Sequence, residues 1–192
     1  REYELTGDVK KRQESEYWKS IEFSLFHKVA VSYYPSYVEE EAIHAVDETI
    51  PVKAITAYVY EEFLQNLNKD FAKREGLLFV GGFAHPPNAD AVLWFAKEVF
   101  PKIREQIKVN FYIVGSKVTD EIKALEQPGN GIIVKGFVSE EELADLYRNC
   151  RIVVVPLRYG AGVKGKVVEA IYNGAPIVTT SVGSEGIPDV EK

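Results

Sequence analysis

Methionine is absent from the 192 residues, and cysteine occurs once, at Cys150. A single cysteine cannot form an internal disulfide, and its position before an apolar run predicts a buried, inert thiol. The three histidines, His27, His44 and His85, are scattered and lack the spacing of metal ligands, so no zinc site is predicted. Because even position 1 is not methionine, we expect the chain to be a fragment of a longer protein.

Long apolar runs and an excess of basic residues are also missing. No stretch approaches the roughly 18 uninterrupted apolar residues of a transmembrane helix, and the N-terminus lacks the layout of a signal peptide. Acidic residues number 29 against 23 basic ones, a net charge of −6. The composition predicts a soluble, cytoplasmic chain that does not bind nucleic acid, in which any anionic ligand must be held by a local site.

Apolar runs alternate with helical patterns from Leu77 onward. Strands are predicted over residues 77–80, 109–115, 132–138 and 151–156, with a fifth ending before Gly183. Helices are predicted between them, one over residues 89–107 and one that Ser139 begins as a capping box with Glu142. This alternation predicts an α/β fold with a doubly wound, Rossmann-like parallel sheet, whose ligands bind at the carboxyl ends of the strands.

Residues 1–75 have a separate pattern of helix, strand, helix and strand. The predicted elements are a helix over residues 8–28, a strand over 29–33, a helix after Ser36 and a strand over 52–60. Residues 61–75 are predicted to be a linker or a surface helix. These elements make half of a Rossmann-like domain. An independent subdomain is the less favoured alternative, because their apolar faces lack partners of their own.

The helix predicted over residues 8–28 is apolar on more than one side. Tyr17, Trp18, Ile21 and Leu25 recur at helical spacing. A helix of this kind normally lies inside a protein. Left uncovered, it would promote self-association, and we expect the chain to form a homodimer.

A glycine-rich junction over residues 158–186 carries the chemistry of the chain. It follows an apolar run and places Gly160, Gly162 and Gly165 before a helical pattern. Such a junction directs backbone N–H groups and the positive end of a helix dipole at one point, which suits a phosphate or diphosphate.

Lys164 and Lys166 stand at the start of the helix that follows this junction. The helix dipole disfavours cations there unless an anion lies between them, so their placement favours a ligand. An ordinary turn before a solvated helix, with Glu169 as the partner of Lys166, is the alternative.

Several runs resemble the donor-binding signature of family 4 glycosyltransferases, a group 1 family. They are GVKGKVVEA at residues 162–170, GAPIVTT at 174–180, GSEG at 183–186 and FVGGFAHPPNADAV at 79–92. The resemblance implies the GT-B architecture of two Rossmann-like domains. Residues 76–192 would be the donor-binding domain, truncated at its C-terminus, and residues 1–75 the tail of the acceptor-binding domain with the interdomain linker. The implied activity is retaining transfer of a sugar from a nucleotide-diphosphate sugar to an acceptor hydroxyl in glycan biosynthesis.

The resemblance also implies roles for single residues. Glu169 matches the second acidic residue of a Glu-x7-Glu motif, whose carboxylate binds the ribose hydroxyls, whereas Ala161 occupies the first acidic position. Lys166, with Lys164, would neutralise the diphosphate and stabilise it as the leaving group. No Asp-x-Asp cluster occurs, so neither a metal nor another cofactor is expected. Further donor-binding residues implied in this way are Gly160, Gly162, Val163, Gly82, Phe137, Val138 and Glu185.

Nothing in the chain resembles a general base for an acceptor hydroxyl. We therefore expect the isolated chain to bind a nucleotide diphosphate weakly and to transfer nothing, its saccharide or lipid-linked acceptor being bound by the other domain. The full-length protein would associate peripherally with a membrane. The alternatives are a sugar-nucleotide epimerase of the same architecture and a non-catalytic nucleotide-binding or scaffold module. Ala161 is the feature that favours the second.

Overall fold

The computed structural model describes residues 2–56, 58–60 and 70–188. The chain divides into two compact units. The first comprises Arg1–Val59, Tyr159–Val163 and Ser184–Lys192, and the second comprises Tyr60–Arg158 and Lys164–Gly183.

The first unit is built around a short parallel strand pair. Its elements are α1 (Glu2–Thr6), α2 (Val9–Phe26), β1 (Ser32–Tyr34), α3 (Tyr37–His44) and β2 (Val52–Ala54). β1 and β2 pair in parallel, with Ser32 opposite Val52. A small core of Phe26, Ile43, Ile50 and Val52 joins the two strands to the helices. β2 is shorter than predicted because its partner β1 ends at Tyr34, where the ladder stops.

Helix α2 forms where the sequence predicts it, but it is not buried within its unit. Asp8 caps it by accepting a hydrogen bond from the Lys10 N–H at 2.9 Å. Only Phe26 at its last turn is buried, whereas Trp18 is 64% exposed. Its apolar residues are therefore uncovered in the part of the chain that the structure describes, which is the condition on which the expected self-association depends. The three-residue strands of this unit cover only the end of an 18-residue helix.

The second unit contains the predicted doubly wound sheet. Its strands are β3 (Leu77–Val80), β4 (Phe111–Val114), β5 (Ile132–Gly136), β6 (Ile152–Val155) and β7 (Ile177–Thr179). All are parallel, in the order β5-β4-β3-β6-β7. The order reverses at β3, which has β4 on one side and β6 on the other. In open parallel sheets, ligands bind in the crevice at the carboxyl ends of the strands at this point.

Helices connect these strands. They are α4 (Pro86–Trp94), α5 (Phe100–Gln106), α6 (Asp120–Lys123), α7 (Glu140–Asn149), α8 (Gly165–Tyr172) and α9 (Ser181–Ser184), with a short 3-10 turn at Phe71–Lys73. The predicted linker residues 61–69 lie outside the described residues. At α7 the capping box is half formed: the Ser139 hydroxyl accepts from the Glu142 N–H at 3.1 Å, but the Glu142 carboxylate accepts from Lys135 at 2.7 Å.

The single helix predicted over residues 89–107 begins earlier and is interrupted. It starts at Pro86, since proline is well suited to the first turn of a helix. A π-helical turn at Phe95–Val99 separates α4 from α5. Pro101 explains the interruption, because it has no N–H to donate to the carbonyl of residue 97. The apolar side of this helical segment still packs on the sheet, since the ring centroids of Phe95 and Phe111 of β4 lie 4.9 Å apart.

Candidate functional site

Lys166 lies at the carboxyl end of the central strand β3. It belongs to the first turn of α8, and its Nζ donates a hydrogen bond to Asn88 Oδ1 at 2.5 Å. The same Nζ is 4.6 Å from the centroid of the Phe79 ring. A Cβ placed on Gly81 would be 2.9 Å from Nζ. Glycine at position 81 therefore provides the space that the ammonium group occupies.

Asn88 connects Lys166 to the loop that follows β3, a role that was not predicted from the sequence. It is buried in the first turn of α4, and its Nδ2 donates to the Gly82 carbonyl at 2.9 Å. One amide side chain thus joins the loop after β3 to Lys166. The sequence contains a signal for this role: Asn88 is a polar residue between Pro87 and Ala89, at the start of a helix that packs on the sheet.

The environment of Lys166 disfavours its positive charge. The pKa of Lys166 is lowered to about 8, chiefly by burial and in part by the neighbouring charge of Lys164. The negative charge of Glu169 opposes both effects by raising the pKa. An ammonium group with these neighbours gains stabilisation from any additional anion.

Lys164 is the second cation at the amino end of α8. It is the N-cap residue, with φ −92° and ψ 102°, and it is only 9% exposed. Its carbonyl oxygen accepts the Val167 N–H at 2.9 Å and so begins the helix. The structure thus has Lys164 and Lys166 at the start of α8, where the helix dipole disfavours the charges of both.

Glu169 is partly buried on α8, three residues after Lys166. Its Oε2 accepts a hydrogen bond from the Tyr147 hydroxyl at 3.0 Å. Lys166 and Glu169 therefore have different hydrogen-bond partners, Asn88 and Tyr147, although they are close enough for the charge of Glu169 to act on Lys166. This arrangement differs from a solvated pair on an exposed helix face, which was the alternative interpretation.

The other predicted residues of the second unit lie in loops at the strand ends. Gly82 follows β3, and Phe137 and Val138 follow β5. Phe137 is 83% exposed and Val138 is partly buried. A phenyl ring exposed to this extent is available as a surface on which a planar ligand could pack.

Four predicted residues, Gly160, Gly162, Val163 and Glu185, belong to the first unit. Gly160 has φ 134° and Gly162 has φ 75°, conformations that favour glycine. A Cβ on Gly162 would lie 3.5 Å from Glu39 Oε1, within the same unit. The structure thus groups these backbone positions with the first unit and Lys164, Lys166 and Glu169 with the second.

Cys150 has the buried environment that the sequence predicts. Cys150 is buried, and burial raises the pKa of its thiol to about 11, so the thiol is protonated at neutral pH. Across the described ranges, 2–56, 58–60 and 70–188, no three or more His, Cys, Asp or Glu side chains come together as a metal site. Within those same residues, none of the helices has the length and apolar character needed to cross a membrane.

A family model described as glycosyl transferases group 1 matches residues 74–192. This chain belongs to the group 1 glycosyltransferases. Among curated proteins, an uncharacterized 44.6 kDa protein in the cps region of Klebsiella pneumoniae is 33% identical over 136 residues. The match covers 67% of this glycosyltransferase chain and 33% of that relative, so the chain spans about a third of the relative's length.

Solved glycosyltransferase structures share the fold. A TarM mutant of S. aureus, in complex with Fondaparinux, alpha-GlcNAc-glycerol and UDP, has a TM-score of 0.67 at 16% identity, covering 83% of this chain and 32% of that one. The pneumococcal O-GlcNAc transferase GtfA, in complex with UDP and GlcNAc, has a TM-score of 0.61 at 21% identity with the same coverage. Anabaena HepE, in complex with UDP and glucose, has a TM-score of 0.60 at 18% identity, covering 83% of this chain and 46% of that one. The predicted GT-B family and Rossmann-like fold are confirmed.

Proposed function

We propose that this chain supplies the donor-binding half of a retaining glycosyltransferase, which transfers a sugar from a nucleotide-diphosphate sugar to an acceptor hydroxyl in glycan biosynthesis. The observation that carries the proposal is the position of Lys166 at the carboxyl end of β3, where its charge is disfavoured by burial and by Lys164. A diphosphate beside both ammonium groups and the amino end of α8 would offset these costs.

The chemical contribution of the lysines is electrostatic. When the bond between the sugar and the diphosphate breaks, negative charge develops on the departing phosphate oxygen. Lys166, assisted by Lys164, would stabilise this charge in the transition state, in a place where burial strengthens the interaction. The proposal requires no metal ion for that purpose.

The remaining contacts would orient the nucleotide. Glu169 would accept hydrogen bonds from two neighbouring ribose hydroxyls through its carboxylate. Phe137 and Val138 would pack against the base, and the Gly82 backbone would approach the donor closely. The roles of Gly160, Gly162, Val163 and Glu185 stay predictions from the sequence.

Isothermal titration of the chain with UDP, GDP and ADP at pH 7 tests the donor site. UDP comes first because it is the nucleotide bound in the TarM, GtfA and HepE complexes. We expect weak binding that Lys166→Ala reduces by about tenfold or more. Lys123→Ala is the matched control, since Lys123 is an exposed lysine that pairs with Asp120 at 3.0 Å. Absence of binding by all three nucleotides would contradict the proposal.

Acceptor binding, and peripheral membrane association, are proposals about a longer protein. We expect no transfer by this chain alone, and measurable transfer to a saccharide or lipid-linked acceptor would contradict that expectation. A non-catalytic nucleotide-binding module is the second candidate, favoured by Ala161 at the first position of the acidic motif. Nucleotide binding without sugar turnover by a longer protein would support it, and sugar-nucleotide epimerisation by that protein would support the epimerase instead.

The exposed face of α2 also supports the proposal that the chain forms a homodimer. Tyr17, Trp18 and Leu25 are each more than half exposed on this helix. Burying such residues between two copies would be favourable. Light scattering should report a dimer that Trp18→Ser weakens, and a monomer at high concentration would contradict the proposal.

A further inference from the structure

The Tyr147 side chain joins two helices at the carboxylate of the candidate donor site. Tyr147 belongs to α7, and its hydroxyl reaches Glu169 Oε2 on α8, 22 residues further along the chain. The residue is 1% exposed, so its ring is held on all sides by packing. A buried ring in a packed core has few rotamers open to it, and the hydroxyl therefore stays where the carboxylate is.

The direction of this hydrogen bond does not change with pH in the neutral range. Burial, followed by the negative charge of Glu169, raises the pKa of Tyr147 far above its ordinary value. The hydroxyl consequently stays protonated and donates to the carboxylate. One carboxylate oxygen of Glu169 is thus engaged within the protein, and the other is the oxygen that a ligand would use.

Glu169 also has a competing partner. Its charge acts on Lys166, which lies one turn earlier on the same helix. A carboxylate that turned to pair directly with the Lys166 ammonium group would cancel the charge that a diphosphate needs. The Tyr147 hydrogen bond holds the carboxylate away from that pairing.

Resting on the proposed function, we propose that Tyr147 is a positioning residue of the donor site. Its hydroxyl orients the Glu169 carboxylate toward a ribose and keeps that carboxylate from neutralising Lys166. Tyr147 itself touches no part of the nucleotide.

Two probes separate this role from a general structural one. UDP contains both a ribose and a diphosphate, whereas inorganic pyrophosphate contains only the second. We expect Tyr147→Phe to weaken UDP binding by about tenfold, the loss typical of a hydrogen bond to a charged group. Pyrophosphate binding should weaken less, because pyrophosphate loses only the Lys166 charge that Glu169 would then neutralise and has no ribose contact to lose. A Glu169→Ala background should abolish the effect of Tyr147→Phe on UDP, because the tyrosine acts through that carboxylate.

Tyr112→Phe is the matched control. Tyr112 is a partly buried tyrosine of β4, whose ring lies against Gly76. Removing its hydroxyl should change the affinity for neither probe. Circular dichroism should confirm that each variant is folded.

The outcomes are distinguishable. UDP binding by the wild-type chain that Tyr147→Phe leaves unchanged would overturn the positioning role and leave the proposed function intact. Equal loss of UDP and pyrophosphate binding would also overturn it, since that result indicates a structural role. If the wild-type chain binds neither probe, the proposed function fails and this inference fails with it.

If Tyr147→Phe does not fold, Glu169→Gln tests the same contact from the other side. An amide has one oxygen, which cannot accept from Tyr147 and from both ribose hydroxyls as a carboxylate can. We expect a loss of about tenfold in UDP affinity with pyrophosphate affinity retained. Unchanged UDP affinity would overturn the inference.

Discussion

Gly115 and Gly81 are in such close contact that a Cβ on Gly115 would lie 1.8 Å from the Gly81 carbonyl oxygen. Gly115 follows β4, has φ 150°, and donates its N–H to the Gly136 carbonyl at 2.8 Å. Gly81 in turn donates to the Val114 carbonyl at 3.0 Å. The backbones of adjacent strand ends therefore meet without room for a side chain, directly beside the Lys166 ammonium group.

Gly115→Ala should accordingly lower the free energy of unfolding by about 3 kcal/mol or more, because the backbone must move to relieve the contact. Gly129→Ala is the control for conformation alone: Gly129 has φ 81° and nothing within 4 Å of an added Cβ. That variant should cost only about 1 kcal/mol. Urea unfolding of both variants measures the difference, and equal losses would show that the close contact is not the cause.

Diphosphate binding should depend on pH through Lys166. The pKa of this lysine is lowered to about 8, so it is charged below pH 8 and loses its proton as the pH rises above that value. UDP affinity should therefore fall between pH 7 and pH 9, with proton uptake on binding near pH 8. Lys166→Arg keeps the charge at every pH in this range and should remove the dependence. A wild-type affinity that is constant from pH 7 to pH 9 would contradict the prediction.

Lys166 should also lower the free energy of unfolding of the chain. Because the folded state lowers the pKa of Lys166 below its ordinary 10.5, protonation favours the unfolded chain, and this cost is fully present below pH 8. Lys166→Met removes a cost of up to about 3 kcal/mol and loses the hydrogen bond to Asn88, for a net gain of about 1 kcal/mol at pH 7. The gain should shrink as the pH rises from 8 to 10. Urea unfolding across this range tests it, and a less stable Lys166→Met at pH 7 would refute it.

The ion pair between Arg158 and Asp90 should contribute to stability. Arg158 Nε donates to Asp90 Oδ2 at 2.9 Å, a second nitrogen donates to Oδ1, and the guanidinium lies 5.7 Å from the Trp94 ring centroid. We expect a coupling energy of about 1 kcal/mol in a double-mutant cycle with alanine, a value that allows for the partial exposure of both side chains.

The Lys123–Asp120 pair on α6 is the matched control for that cycle. Its Asp120 side chain is 99% exposed, so solvent screens the charges and the coupling energy should be close to zero. Equal coupling in the two pairs would show that the geometry of the Arg158 pair adds nothing.

Local patterns in the sequence predict most of the second unit. β3 was predicted with its observed bounds, because a run of apolar β-forming residues is a signal within a few positions. The start of α8 with its two lysines was also predicted from a local signal, the glycines and the helical pattern that follow the apolar run of β6. Which residues of α2 another element covers could not be predicted one by one, since periodicity reports which side of a helix is apolar and not whether another element covers it.

The sequence by itself determined the parallel α/β architecture, the family, and the presence of Lys164, Lys166 and Glu169 at one helix start. Only the tertiary structure decided that Asn88 would hold Lys166, 78 residues away, and that Tyr147 would hold Glu169. The first contact exists because β3 and β6 are neighbours in the sheet, which brings the helices that follow them to the same edge. Strand order is a property of the whole fold, and no local pattern in the chain encodes which distant side chains it brings together.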